Sequence, residues 1–167
     1  EHSYGGRGAP TGTGYTEIFS TGRAFAALNE EGAITAWGLS DRGGSGAPTD
    51  LGYTRIFSSE RSFAALAEDG TISSWGNSNF GGEGAPLGSG FTQIASSQRA
   101  FAALNSDGTI MSWGDAAYGA SETPTDAGYV KVVASQRAFA AIKEDGSISS
   151  WGSEDMSAIP TDDGYVE

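Results

Sequence analysis

One sixteen-residue pattern is written four times into this chain, and its spacing never drifts. The second copy, Arg61 to Gly76, reads Arg-Ser-Phe-Ala-Ala-Leu-Ala-Glu-Asp-Gly-Thr-Ile-Ser-Ser-Trp-Gly. The others run from Arg23 to Gly38, Arg99 to Gly114 and Arg137 to Gly152. Their tryptophans, Trp37, Trp75, Trp113 and Trp151, stand 38 residues apart. A fixed period of about 20 to 50 residues marks a stack of structural repeats, each hiding its apolar surface only against its neighbours.

Each copy reads as a hairpin. In the second, the apolar run Phe63 to Leu66 leads to Asp69-Gly70 and then to Thr71 through Trp75. Asp-Gly between two β-compatible runs predicts a type I′ turn, in which Gly supplies positive φ and Asp tolerates it. Asp107-Gly108 and Asp145-Gly146 repeat the signal, and Glu31-Gly32 departs from it as the poorer turn. A third segment, Gly52 to Ser58, is rich in β-branched and aromatic residues and recurs at Tyr15, Phe91, Tyr129 and Tyr165. The stretches between units, such as Gly81 through Pro86, read as loops, with Pro10, Pro48, Pro86, Pro124 and Pro160 among them. No stretch carries a helical period. The Phe-Ala-Ala-Leu run lacks polar alternation, so it is expected to be covered on both faces. Its alanines would permit close approach at inner strands where sheets converge. The fold expected is all-β: a β-propeller-like repeat protein of four full repeats plus a half-repeat, with about three strands per repeat. An open β-repeat array or a fragment of a larger propeller is the alternative.

The units divide a single repeat domain, 1–167, into a half-repeat at 1–22, repeats at 23–60, 61–98 and 99–136, and a truncated repeat at 137–167. Both chain ends offer the same strand. A ring of four or five blades with a strand spare, a piece of a longer array, and copies continuing one another head to tail all stay open. The chain starts with Glu1 rather than Met, which points to processing. The compartment is therefore unassigned, with an organelle lumen or the extracellular space both compatible.

Net charge is −12, which repels phosphate backbones and argues against a nucleic-acid surface while suiting basic protein partners. There are no cysteines and hence no disulfides, and no apolar run reaches the length of a membrane span. The single histidine, His2, reads as a solvated terminal residue rather than a catalytic base. The paired acids Glu30-Glu31, Glu68-Asp69, Glu144-Asp145 and Asp162-Asp163 lack the alternating spacing of a calcium loop, and they read as turn chemistry. The linker Gly5-Gly6-Arg7-Gly8 lacks the Lys-Ser/Thr of a phosphate cradle. Neither metal, cofactor nor catalytic residue is expected.

Two periodic sets remain. Arg23, Arg61, Arg99 and Arg137 stand once per unit, before the alanine-rich strand. They either line one mouth of a channel and bind anions, or pair structurally with neighbouring blades. Repetition favours the structural reading, with at least partial burial. Trp37, Trp75, Trp113 and Trp151, with Phe25, Phe63, Phe101 and Phe139, read as packing between units; exposed, they would stack on sugars.

The pattern Phe-Ala-Ala-Leu-x-x-Asp-Gly-x-Ile-x-x-Trp-Gly, followed by a Gly-Gly loop, resembles the repeat of the regulator of chromosome condensation family, in a compact 38-residue form. The resemblance implies a β-propeller used as an interaction platform. By that analogy alone it admits regulation of a small GTPase. From the residues, the expected role is a non-catalytic structural or protein-interaction module. It would be a scaffold or accessory subunit with protein partners in a larger complex or in self-association. A lectin-like carbohydrate-binding propeller is the alternative, and an enzyme with an unrecognised carboxylate pair the third reading.

Overall fold

The computed structural model describes residues 6–153. His2, Gly5, Pro160, the Asp162-Asp163 pair and the Tyr165 segment lie outside them. Four three-stranded antiparallel sheets follow one another along the chain. Blade 1 is β1 (Tyr15–Ser20), β2 (Ala24–Asn29) and β3 (Ile34–Gly38). Blade 2 is β4 (Tyr53–Ser58), β5 (Ser62–Ala67) and β6 (Ile72–Gly76). Blade 3 is β7 (Phe91–Ser96), β8 (Ala100–Asn105) and β9 (Ile110–Gly114), and blade 4 is β10 (Tyr129–Ala134), β11 (Ala138–Lys143) and β12 (Ile148–Gly152). The fold is thus all-β and propeller-like, with sheets that pack face to face in chain order. The segment read as a half-repeat supplies β1 and completes a full first blade.

The alanine-rich strand is the middle strand of each sheet, not an inner edge. Side chains alternate across a strand, so β5 sends Phe63 and Ala65 into the core shared with blade 1. It sends Ala64 and Leu66 into the core shared with blade 3. Both faces of β5 and β8 are covered, which is why neither shows polar alternation. Phe63 lies opposite Trp75 in the ladder, and their rings stack at 5.1 Å. The other three Phe–Trp pairs stack at 5.2 to 5.5 Å. Every first strand carries a bulge one residue in, as between Tyr53 and Arg55. There the Thr54 hydroxyl donates to the Leu66 carbonyl.

The hairpin turn differs from the type I′ expected. Gly70 has φ +81°, but Glu122 is the one non-glycine with positive φ among the described residues, so Asp69 keeps negative φ. The Gly70 N–H donates to the Ala67 carbonyl, and the Thr71 N–H donates to Asp69 Oδ1 at 2.9 Å. The carboxylate closes the turn locally, as Asp side chains do in Asx turns, and the second positive φ is not needed. Blade 1 has Glu31 at this place; there the Asn29 amide oxygen accepts from the N–H groups of Glu31 and Ala33 instead.

Successive blades are tied at both ends of the middle strand. Near one end the Gly22 N–H donates to the Glu60 carbonyl, Glu60 N–H to Gln98, and Gln98 N–H to Gln136. Near the other, the N–H groups of Tyr53, Phe91 and Tyr129 donate to the carbonyls of Gly32, Gly70 and Gly108. The approach is close: a Cβ on Gly70 would lie 2.5 Å from the Gly90 nitrogen. Three tryptophans add a tie each, with Trp75, Trp113 and Trp151 Nε1 donating at 3.0 to 3.1 Å to the carbonyls of Gly43, Gly81 and Gly119. Those glycines end a single 3-10 turn in each linker (Ser40–Arg42, Ser78–Phe80 and Ala116–Tyr118), an element without any periodicity to announce it.

Candidate protein-interaction surface

Two rows of side chains run from blade to blade, one at each end of the sheets. At the turn between first and second strands, guanidinium groups alternate with aromatic rings. Arg61 lies 4.6 Å and Arg99 4.8 Å from the centroid of the Phe80 ring. Arg99 also lies 4.6 Å from the Tyr118 ring, and Arg137 lies 4.8 Å from it. The sequence Arg61–Phe80–Arg99–Tyr118–Arg137 is therefore a cation–π ladder, each such contact being worth about 0.5 to 2 kcal/mol. Arg61 and Arg99 side chains are 33% and 36% exposed and Arg23 is half-buried, as expected, whereas Arg137 on the last blade is exposed. Asp115 pairs with Arg99 at 3.6 Å.

Blade 1 breaks this ladder. Arg42 stands one period before Phe80 and two before Tyr118. Glu60 answers it, pairing with Arg42 at 3.8 Å and Arg61 at 3.4 Å and accepting from Gln98 Nε2 at 2.9 Å. The arginine period is visible in the sequence; its partners were not singled out. The signal was the 38-residue register of Phe80 with Tyr118, each followed by a glycine. Buried hydroxyls complete this end: Ser59 and Ser62 donate to the Phe80 carbonyl, and Ser97 donates to that of Tyr118.

The opposite end presents carboxylates. Glu30 and Glu31, Glu68 and Asp69, Asp107, and Glu144 and Asp145 occupy the turns between second and third strands and are exposed. Because the turns of blades 1, 2 and 3 are each hydrogen-bonded to the next blade, their acids form an ordered row rather than a set of free tips. Asp69 is held below the usual carboxylate range by the Thr71 N–H and then by the Thr71 hydroxyl. Asp107 and Asp145 are lowered chiefly by the hydroxyls of Thr109 and Ser147. Beside blade 2 an open groove of about 550 Å³ is lined by Asp50, Leu51, Tyr53, Glu68 and Asp69. Leu51 and, in the next linker, Leu87 are exposed. Apolar side chains beside fixed negative charge suit a protein surface carrying basic residues.

The aromatic set lies elsewhere. Trp75, Trp113 and Trp151 are buried, with one ring face against a phenylalanine and the indole N–H bonded to a linker carbonyl. Phe63, Phe101 and Phe139 are buried too, while Trp37 is at the margin of burial and Phe25 is half-buried. Among the described residues, no three His, Cys, Asp or Glu side chains gather where a metal ion could be held. No helix among them is long and apolar enough to cross a membrane.

No family model and no curated protein matches this chain. Solved structures do match in fold. The ectodomain of the Physcomitrella patens receptor kinase CR4 superposes with a TM-score of 0.64 at 20% identity, covering 83% of this chain and 39% of that one. Prp20p from Saccharomyces cerevisiae, described with its binding to Gsp1p and histones, superposes with a TM-score of 0.61 at 20% identity, covering 86% and 47%. The same yeast protein, named RCC1 (Prp20) and bound to Kap60, gives 0.62 at 17% identity, covering 83% and 43%. This chain thus spans less than half the length of those structures, and it shares their propeller fold.

Proposed function

We propose that this chain is a non-catalytic protein-interaction module, a compact member of the regulator of chromosome condensation type forming one repeat domain over 1–167. It acts as a scaffold or accessory subunit of a larger assembly and engages a basic protein partner along its row of acidic turns. The observation that carries this reading is the groove of about 550 Å³ where Asp50, Glu68 and Asp69 surround exposed Leu51. Two further observations support it. The net charge of −12 steers cationic partners toward the chain. Prp20p, which shares the fold, binds the proteins Gsp1p and histones. Regulation of a small GTPase is a second reading that the likeness to Prp20p favours, and nucleotide-release assays separate it from simple docking. A lectin reading draws little from the structure, since Trp75, Trp113 and Trp151 are buried and cannot supply one stacking face per repeat.

The test is affinity capture from the source extract by the wild-type chain and by a Glu30→Lys/Glu68→Lys/Glu144→Lys variant. We expect basic proteins held by the wild type and lost by the variant. They should also be released as ionic strength rises from about 0.1 to about 1 M, where the screening length falls from about 10 to about 3 Å. Capture that is indifferent to both the variant and the salt would overturn the acidic-row reading.

A further inference from the structure

Blades 2 and 4 carry the same carboxylate beside the same tyrosine, and only blade 4 supplies a cation to it. In blade 4, Asp126 precedes β10 and Lys143 ends β11. The Lys143 ammonium donates to Asp126 Oδ2 and lies 5.0 Å from the centroid of the Tyr129 ring. The Tyr129 hydroxyl lies 2.8 Å from Asp126 Oδ1 and 2.7 Å from the Ser149 hydroxyl. The bond to Asp126 holds Lys143 above the usual lysine range, and the same bond holds Asp126 below the usual carboxylate range. A carboxylate and an aromatic ring thus grip one ammonium, as charge-assisted bonds and cation–π contacts do.

Two periods earlier the same frame recurs without its cation. Asp50, Tyr53 and Ser73 hold the places of Asp126, Tyr129 and Ser149, and the Tyr53 hydroxyl again lies 2.7 Å from that of Ser73. Ala67 holds the place of Lys143. Where blade 4 has the lysine stem, blade 2 has the open groove of about 550 Å³, lined by Ala67 as well as by Asp50 and Tyr53. Asp50 takes part in none of the ion pairs among the described residues. Blades 1 and 3 lack the frame, with Gly12 and Gly88 at the carboxylate's place and Asn29 and Asn105 at the lysine's.

The groove is therefore more than a gathering of acids, because equivalent positions hold a cation in this same molecule. A bare metal ion fits it poorly: calcium needs several converging oxygens, and no three acidic, His or Cys side chains gather among the described residues. An alkyl ammonium fits better. Exposed Leu51 lies on the groove wall, where it can cover a methylene stem whose charged head sits farther along.

We propose that the blade 2 groove is a lysine-reading subsite, in which a lysine of the partner protein enters over Ala67 and sets its ammonium beside Asp50 and the Tyr53 ring. This deepens, and rests on, the reading of the acidic row as a docking surface for a basic protein. Blade 4 fills its own frame with Lys143, so the described blades offer one such subsite.

The test is an NMR titration of the labelled chain 1–167 with N-acetyl-lysine-N′-methylamide, with the norleucine analogue as the neutral control. Saturable shifts are expected at Leu51, Tyr53 and Glu68 with the lysine probe alone. Ala67→Lys should abolish them, since the chain then fills the groove itself; blade 4 already carries lysine at this backbone place, so the variant should fold. Gln136→Lys makes the same charge change at the opposite end of the sheets and should leave them intact. Asp50→Asn should weaken binding about two- to fivefold, as an exposed ion pair is worth. Lys143→Ala should open a second site, seen as new shifts at Tyr129 and Glu144. Equal response to the norleucine analogue, shifts spread over all the acidic turns, or binding unchanged by Ala67→Lys would overturn the proposal. Protein capture separates the two readings. Basic proteins held equally by the wild type and Ala67→Lys, but lost by the triple Glu→Lys variant, would overturn this subsite and leave the acidic row standing; no basic protein held by any of them would overturn both.

Discussion

Blade 1 and blade 3 carry nearly the same residues on the same backbone, yet they live in different solvents. Ile94 of β7 is 4% exposed, and Ile18, at the same place in β1, is 63% exposed. The strands pair in the same register, with the same bulge and the same stacked Phe–Trp pair. The repeat therefore specifies the sheet, while burial comes from the neighbour. In such arrays stability is approximately a sum of unit and interface terms. The covered blades should be held by interfaces that blade 1 lacks on one side.

The sharpest way to break this comparison is a pair of identical truncations. Ile94→Ala should destabilise by about 2 to 5 kcal/mol, as buried aliphatic truncations do. Ile18→Ala should stay within about 0.5 kcal/mol, as exposed substitutions do. Urea unfolding measures both, and equal losses would show that β1 is covered in the single chain. Next in size is a glycine pair. Gly70→Ala meets both an unfavourable positive φ and a 2.5 Å approach to Gly90, so it should cost clearly more than the roughly 1 to 2 kcal/mol of left-handed strain alone. Gly146→Ala should cost only that strain, because nothing lies within 4 Å.

The third comparison is between linkers. Gly46 and Gly84 have φ of +81° and +84°, and Glu122 holds the equivalent place at +59°. Glu122→Gly should raise stability by about 1 kcal/mol or less, since it relieves strain but frees the unfolded chain. A loss of stability would mean that the glutamate side chain is held by contacts. The smallest effect is acid sensitivity. Asp69, Asp107 and Asp145 have lowered pKa values because Thr71, Thr109 and Ser147 donate to them. A carboxyl whose folded pKa is depressed contributes stability above its unfolded value of about 3.9 and loses it as pH falls through the lower folded value. Acidification below about pH 4 should therefore loosen the turns of blades 2 to 4. In blade 1 an amide, Asn29, does the capping and does not titrate. Asp69→Asn, read by thermal unfolding across that range, should flatten the acid limb.

Much of this architecture was legible from spacing alone. Strand number and the double covering of β5 and β8 follow from a period of 38 and from Phe-Ala-Ala-Leu without alternation, whereas the middle place of the alanine-rich strand does not. The turn type was not legible, because Asp-Gly serves two turn geometries and the choice rests on Thr71, two residues beyond. The short 3-10 turns were hidden because three residues carry no period. In the ladder, the arginines announced themselves by repetition; Phe80 and Tyr118 did not, since the first unit has Arg42 in their place. The exposure of Ile18 was not legible in its own repeat, because Ile18 and Ile94 differ only in what lies across from them.

Residue-resolved hydrogen exchange tests most directly the claim that interfaces, rather than sheets, carry the stability. Opening free energies should be highest in β5 and β8, whose two faces are covered, and lowest in β1. Equal protection of β1 and β7, or of all four middle strands, would contradict the account, for it would place the stability within each sheet and leave the neighbour without effect.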